Sequence, residues 1–176
     1  MRMKSWSGSR ALVFIGMAAP GLVATVRAAA AALEPGLAVT FASADGKATD
    51  TTTAPNAWLF VEAGRSPTPF LPAGKFTATW EGFVEAELRG DFFFQAELNG
   101  HLKLELNGAV ALDATGAGRA SPLSKAATLN KGVNKLKATF TSPAQGDAFA
   151  RLAWTDRKST RLNSSHPRLS RMPSSA

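Results

Sequence analysis

From Gly36 to Thr155 the apolar residues recur at every second position, in short runs separated by Gly, Pro, Asn and Asp. Alternation sends successive side chains to opposite faces, so a chain patterned this way buries its apolar set by pairing strands. The candidate strands are Leu37–Ala42, Ala57–Glu62, Lys75–Leu88, Asp91–Glu97, His101–Glu105, Ala109–Asp113, Ala126–Leu129, Asn134–Thr141 and Ala148–Thr155. Many short strands with turn residues between them and no long helical stretch predict an all-β fold, an antiparallel β-sandwich or barrel. The 45% of hydrophobic residues, with 11 Phe among them, is enough to fill such a core. The segments Ala42–Asn56 and Gly64–Gly74, rich in Thr, Ser, Pro, Gly and Asp, are expected to be loops, the usual seat of binding on a β scaffold.

Parity makes the central pattern more specific. Phe92, Phe94 and Ala96 share one face, as do Leu102, Leu104 and Leu106. A three-residue loop Leu98-Asn99-Gly100 would pair Ala96 with Leu102, Phe94 with Leu104 and Phe92 with Leu106, keeping every apolar residue on one side; a two-residue loop would mix the faces. The same reasoning at Leu106-Asn107-Gly108 pairs Leu104 with Val110 and Leu102 with Leu112, leaving Glu97, His101, Lys103 and Glu105 outside.

The two ends carry a different pattern. Arg2, Lys4 and Arg10 precede an apolar run from Ala11 to Val26, and the small residues Ala28 to Ala32 follow, so residues 1–32 read as a secretory signal peptide with a helical apolar segment. The run is short for a membrane span, and Pro20-Gly21 interrupts it. At the other end, Asp156 to His166 and Ser170 to Ala176 match, codon for codon, the translation of a common sequencing adapter, with an index-sized gap between them. Residues 156–176 are therefore expected to be a translated adapter artefact forming a disordered, contact-poor tail, and residues 36–155 the domain itself.

This division decides the meaning of the charge. The whole chain has 20 basic and 13 acidic residues and a formal charge of +7, a balance that suggests a polyanionic partner. Without the tail's Arg157, Lys158, Arg161, Arg168 and Arg171 and the leader's Arg2, Lys4, Arg10 and Arg27, 11 basic residues remain; without Asp156, 12 acidic ones remain. A net charge of −1 offers no electrostatic case for nucleic acid, and a cleaved leader leaves no membrane anchor. The absence of cysteine excludes disulfides, thiolate metal sites, a cysteine nucleophile and covalent haem attachment within these residues.

Several side chains have the chemistry of a binding or catalytic site. Trp58, Trp80 and Trp154 suit either a sugar-stacking platform or the core, with Trp58, nearest the long loops, the candidate for a ligand contact. His101 is the one histidine of the domain and faces outward; no Gly-x-Ser-x-Gly elbow accompanies it. Glu81, Glu85 and Glu87 could be imagined as glycosidase carboxylates, but such a pair faces across a cleft, and alternating Glu on one strand reads as a solvated face. Lys125, Lys131, Lys135 and Lys137 read the same way.

The order of the pieces resembles the protective-antigen (PA-14) β-barrel domain of secreted adhesins, toxins, glycosidases and envelope proteins. Phe76-Thr-Ala-Thr-Trp80-Glu-Gly82 resembles its aromatic-x-x-x-Trp-x-Gly strand, Gly90-Asp-Phe92-Phe-Phe94 its Gly-x-Tyr-x-Phe strand, and the run Asn99 to Gly108 its x-Leu-x-Ile-Asp-Gly hairpin. Leu129-Asn-Lys-Gly132 with Leu136 and Phe140, and Ala150-Arg-Leu152-Ala-Trp154, resemble its last two strands. The resemblance implies a calcium-dependent sugar site built on adjacent aspartates; here those positions are Leu98 and Asn99, which cannot supply the oxygens. The expectation is an exported, non-catalytic recognition or spacer module, periplasmic, secreted or in the cell envelope, with no metal and no cofactor. It would bind a glycan without calcium, or a neighbouring domain of the same longer chain, with Trp58, Asn99 and His101 as ligand-binding candidates. The alternative is an accessory domain of a periplasmic c-type cytochrome-like protein or of a glycosidase whose catalytic part lies beyond these residues.

Overall fold

A computed structural model describes residues 33–156 and 169–171. The expected signal helix over residues 1–32 and most of the expected tail lie outside the described residues. The elements are β1 (Glu34–Pro35), β2 (Leu37–Ser43), β3 (Thr49–Ala54), β4 (Trp58–Val61), β5 (Phe76–Ala86), β6 (Gly90–Leu106), β7 (Ala109–Ala120), β8 (Ala127–Leu129), β9 (Gly132–Thr141), β10 (Ala148–Asp156) and β11 (Leu169–Arg171). All pairings are antiparallel, along the path β1-β11-β5-β9-β6-β10-β4, with β2 between β3 and β5, and β7 and β8 on β6.

The 17-residue strand β6 organises this path. Along one side, Phe92–Asn99 pair with β10 and His101–Leu106 pair with β9. The partner changes at Gly100, where the backbone takes φ +134 and where a Cβ would lie 2.5 Å from the Thr141 carbonyl and 2.7 Å from the Phe140 ring. Only glycine lets β9 end this close to β6, so the sheet divides there into a β4–β10–β6 part and a β6–β9–β5–β2 part. Both parts turn their alternating apolar residues to a common core: Val39 and Phe41 from β2, Trp80 from β5, Phe94, Leu98 and Leu104 from β6, Leu136 and Phe140 from β9, and Ala150 from β10. Phe76 bridges Phe41 and Phe140 at ring separations of 6.3 and 6.2 Å, and Trp154 stands edge-on to Phe94 at 6.2 Å. Trp80 and Trp154 are thus core aromatics, as one of their two sequence readings held.

Four expectations are corrected. No hairpin forms at Leu98-Asn99-Gly100; β6 runs straight through it, and the predicted Ala96–Leu102, Phe94–Leu104 and Phe92–Leu106 pairs do not exist. A three-residue hairpin and a continuous strand preserve the same parity, so alternation alone cannot separate them. At the next turn the loop has two residues, Asn107 (φ +50) and Gly108 (φ +84), as a type I′ turn requires, and Leu106 pairs with Ala109. An irregularity between Leu104 and Glu105 then restores the faces, setting Leu104 opposite Leu112. The segment Ala42–Asn56 is not one loop but mostly the hairpin β2–β3, with Thr51, Thr52 and Thr53 on its edge strand. Finally, residues 156–176 are not a contact-poor tail throughout: Asp156 ends β10, and Leu169–Arg171 add a strand between β1 and β5.

The β2–β3 turn is held by a buried hydroxyl. Ser43 Oγ donates to Asp45 Oδ1 at 2.6 Å and accepts from Ala48 N at 3.0 Å, while Lys47 N donates to the same carboxylate at 3.1 Å. These donors, Ser43 foremost, hold the Asp45 carboxyl below its ordinary pKa. A depressed carboxyl contributes stability above its unfolded value and loses it as pH falls through the folded one. An NMR titration should place the Asp45 midpoint below the usual aspartate range, and Ser43→Ala should raise it; an unmoved midpoint would refute this account of the turn. For the division of the sheet, Gly100→Ala should cost roughly 4 kcal/mol in urea unfolding, from backbone strain plus overlap with Thr141 and Phe140. Gly108→Ala, with open space around it, should cost only about 1 kcal/mol.

Candidate functional site

The β4–β10–β6 part of the sheet has one face on the core and one facing outward. On β4, Leu59 packs against the core and Val61 lies within it, while Trp58 and Phe60 point away, 62% and 55% exposed. Register carries that outward face across two more strands: Phe60 stands beside Phe149 and then Asn99, and Trp58 beside Arg151 and then Glu97. Facing pairs in adjacent antiparallel strands touch, so these six side chains form two parallel rows of mixed aromatic, amide and charged character. The rows rest on a rigid ladder rather than on loops.

At the end of the rows, Asn99 Nδ2 donates to the Asp147 carbonyl at 2.7 Å, and Asp147 Oδ1 accepts from Ala63 N at 2.9 Å. These two bonds tie the loops after β4 and β9 to the sheet. The same two loops line a shallow cleft of about 190 Å³, with Glu62, Arg65, Lys75 and Gln145 among its walls. The Gly64–Gly74 loop is itself organised: Ser66 Oγ lies 2.5 Å from the carbonyls of both Thr68 and Leu71, and Leu71 is buried while Phe70 is 76% exposed.

All three sequence candidates therefore point outward from the sheet. Trp58 and Asn99 belong to the same three-stranded face, two strands apart. His101 follows Asn99 on the outward side of β6, beyond Gly100, between Thr141 of β9 and Thr115 of β7, with Nε2 2.7 Å from Asp113 Oδ1. It lies on the other part of the divided sheet, so the structure joins Trp58 with Asn99 but not with His101. Phe60, Phe149 and Arg151 were missed. Their signal was legible in Trp58-Leu-Phe-Val61, where both phases of the alternation are apolar although only one can face the core. Leu98, one of the two positions where the resemblance puts calcium ligands, is fully buried and points into the core. Glu81, Glu85 and Glu87 are exposed, with Glu81 3.0 Å from Lys137. Among the described residues, no three His, Asp or Glu side chains gather where a metal could be held.

Comparison with known proteins places this architecture. No family model and no curated protein matches the chain. Solved structures do. An anti-sigma factor domain-containing protein from Clostridium clariflavum superposes with a TM-score of 0.65 at 16% identity, over 81% of this chain and 49% of that one. The chain thus spans about half the length of that protein. The PA14 domain of the MpAFP antifreeze protein matches with a TM-score of 0.62 at 12% identity, over 74% of this chain and 87% of the domain. A PA14 sugar-binding domain from an RTX adhesin matches with a TM-score of 0.59 at 14% identity, over 73% of this chain and 94% of the domain. The chain has an all-β, antiparallel fold of the PA14-like type.

Proposed function

We propose that this chain is an exported, non-catalytic recognition module, and that the outward face of β4, β10 and β6 binds a saccharide without calcium. The observation that carries the reading is the pair Trp58 and Phe60, two large aromatics standing exposed side by side on a sheet whose opposite face already fills the core. Exposed apolar surface of this kind marks an interaction site. Aromatic faces stack on the C–H faces of pyranose rings, and the flanking Asn99, Arg151 and Glu97 supply donors and acceptors for ring hydroxyls. Opposite charges on Arg151 and Glu97 leave the face close to neutral, which suits a neutral sugar better than a polyanion.

Three further points support it. The fold is shared with a sugar-binding domain from an adhesin. The buried Leu98 leaves no oxygen where a calcium-dependent site would need one. The leader-like pattern of residues 1–32 supports export, to the periplasm, envelope or exterior, where glycans are displayed.

A glycan array probed with the purified chain, in calcium and in EDTA, tests this directly. The expected result is binding to a defined set of neutral glycans that EDTA leaves unchanged. Trp58→Ala should remove about 2 kcal/mol of that binding, roughly a 30-fold rise in Kd, with the thermal midpoint unaltered because the side chain is outside the core. Absence of binding on the array, or binding that ignores Trp58→Ala, would sink the proposal.

A further inference from the structure

The strand that ends the sheet path at β4 is open on one side: among the described residues it pairs with β10 alone. One bond just outside the regular ladder fixes which of its backbone groups face that open side. Leu152 N donates to the Ala57 carbonyl at 3.2 Å. Facing residues in an antiparallel ladder alternate between bonded and non-bonded pairs, so Ala57, Leu59 and Val61 turn their N–H and C=O groups to β10. Trp58 and Phe60 turn theirs away from it.

An open edge pairs with another chain unless something prevents it, and the other described edges carry such devices. β3 sets Asp50 on its inner phase, opposite Phe41; β7 carries Asp113, Arg119 and two register irregularities; β8 has three residues; β1 is Glu34 and Pro35. Ala57-Trp-Leu-Phe-Val61 has no charge, no proline and no irregularity. The segment is also complementary to itself. Turned about a twofold axis at Leu59, it meets a second copy with Leu59 opposite Leu59, Trp58 opposite Phe60 and Ala57 opposite Val61, so inner residues face inner ones and the outer aromatics face each other. The bond phase agrees. The Trp58–Phe60 pairs are those whose free backbone groups meet, and Leu59 sits on the axis as a non-bonded pair. A slip of one residue would set Leu59 against Phe60 and mix the faces. A slip of two would set Trp58 against Glu62, whose carbonyl already accepts from Arg65 N at 3.1 Å.

We propose that β4 is a dimerisation edge, through which two copies of this chain pair antiparallel about Leu59. The occupant is a second copy because the segment answers itself in both side-chain face and bond phase. Pairing of β4 with itself is isologous and closes at two chains. It also joins the two outward faces. Trp58 of the partner subunit comes beside Phe60, so the row Asn99, Phe149, Phe60 runs on across the junction into the partner's other row. The contact is small, which places the dissociation constant at about 100 μM.

The unaltered full chain supplies the first test. In sedimentation equilibrium its average mass should rise from one chain toward two between about 20 μM and about 1 mM, and no further. Over the same range amide hydrogen exchange at Trp58 and Phe60 should slow about fourfold, while Leu59 and Val61, bonded to β10, stay protected throughout. A single-chain mass at the upper concentration, or growth beyond two chains, would overturn the proposal. So would protection of Trp58 and Phe60 that does not change with concentration, since the chain would then be covering the edge itself. The register has its own test, because the chain contains no cysteine. Air oxidation of Leu59→Cys should give several-fold more covalent dimer than that of Trp58→Cys. The second thiol is more exposed but stands diagonal to its copy, beyond disulfide reach; the reverse order would refute the pairing about Leu59. No readout depends on saccharide binding.

Discussion

The hydrogen-bond ladder of β6 is the constraint on which the rest of this structure rests. Four strands, β7, β8, β9 and β10, take their register from it, and two of them share one of its sides in succession. Gly100 makes that succession possible. With any side chain there, the Thr141 carbonyl and the Phe140 ring would have to withdraw, and Phe140 would leave the aromatic chain that runs through Phe76 to Phe41. The division of the sheet into two parts, which sets the β4–β10–β6 face apart, is therefore a consequence of one residue's missing Cβ.

Where the ladder has no strand beside it, serine hydroxyls complete it. Ser121 Oγ accepts from Ala96 N at 3.0 Å while Ser121 N donates to the Ala96 carbonyl at 2.6 Å, and Ser124 does the same for Phe94 at 2.9 and 2.8 Å. Ser142 meets Phe76 in the same reciprocal way. Each satisfies both backbone groups of a buried strand residue with one loop residue, which lets the connection between β7 and β8 follow β6 without being a strand. Asn134 has a comparable role. Fully buried, its Oδ1 accepts from Asn107 Nδ2 and Asn130 N, and its Nδ2 donates to the carbonyls of Asn130 and Gly132. The type I′ turn after β6 and the turn before β9 are thereby fastened to each other through one satisfied amide.

What could be read from the residues divides along physical lines. Face assignment was legible: the even-numbered residues from Phe94 to Leu106 are buried, and Glu97, His101, Lys103 and Glu105 point outward as their parity required. Connectivity was not, because Asn99-Gly100 is a turn signature and its glycine is used instead for close approach by β9. The edge strand β3 was hidden because Thr49–Ala54 is polar on both faces, as an edge covered by water on one side permits. Serine and asparagine roles lay beyond reach, since a hydroxyl that completes a ladder is identified by its distant partner and not by its neighbours in sequence. Of the candidate face, Trp58 and Asn99 could be named from the sequence, whereas Phe60, Phe149 and Arg151 emerge only when the register of β4 on β10 is known.

The two ends of the sheet path are finished differently, β4 at one end and β11 with β1 at the other. The inner phase of β4 already supplies Leu59 and Val61, so the core does not require Trp58 and Phe60, which stay more than half exposed. The β5 edge, in turn, must be covered by some strand, because an open ladder of backbone donors and acceptors invites pairing.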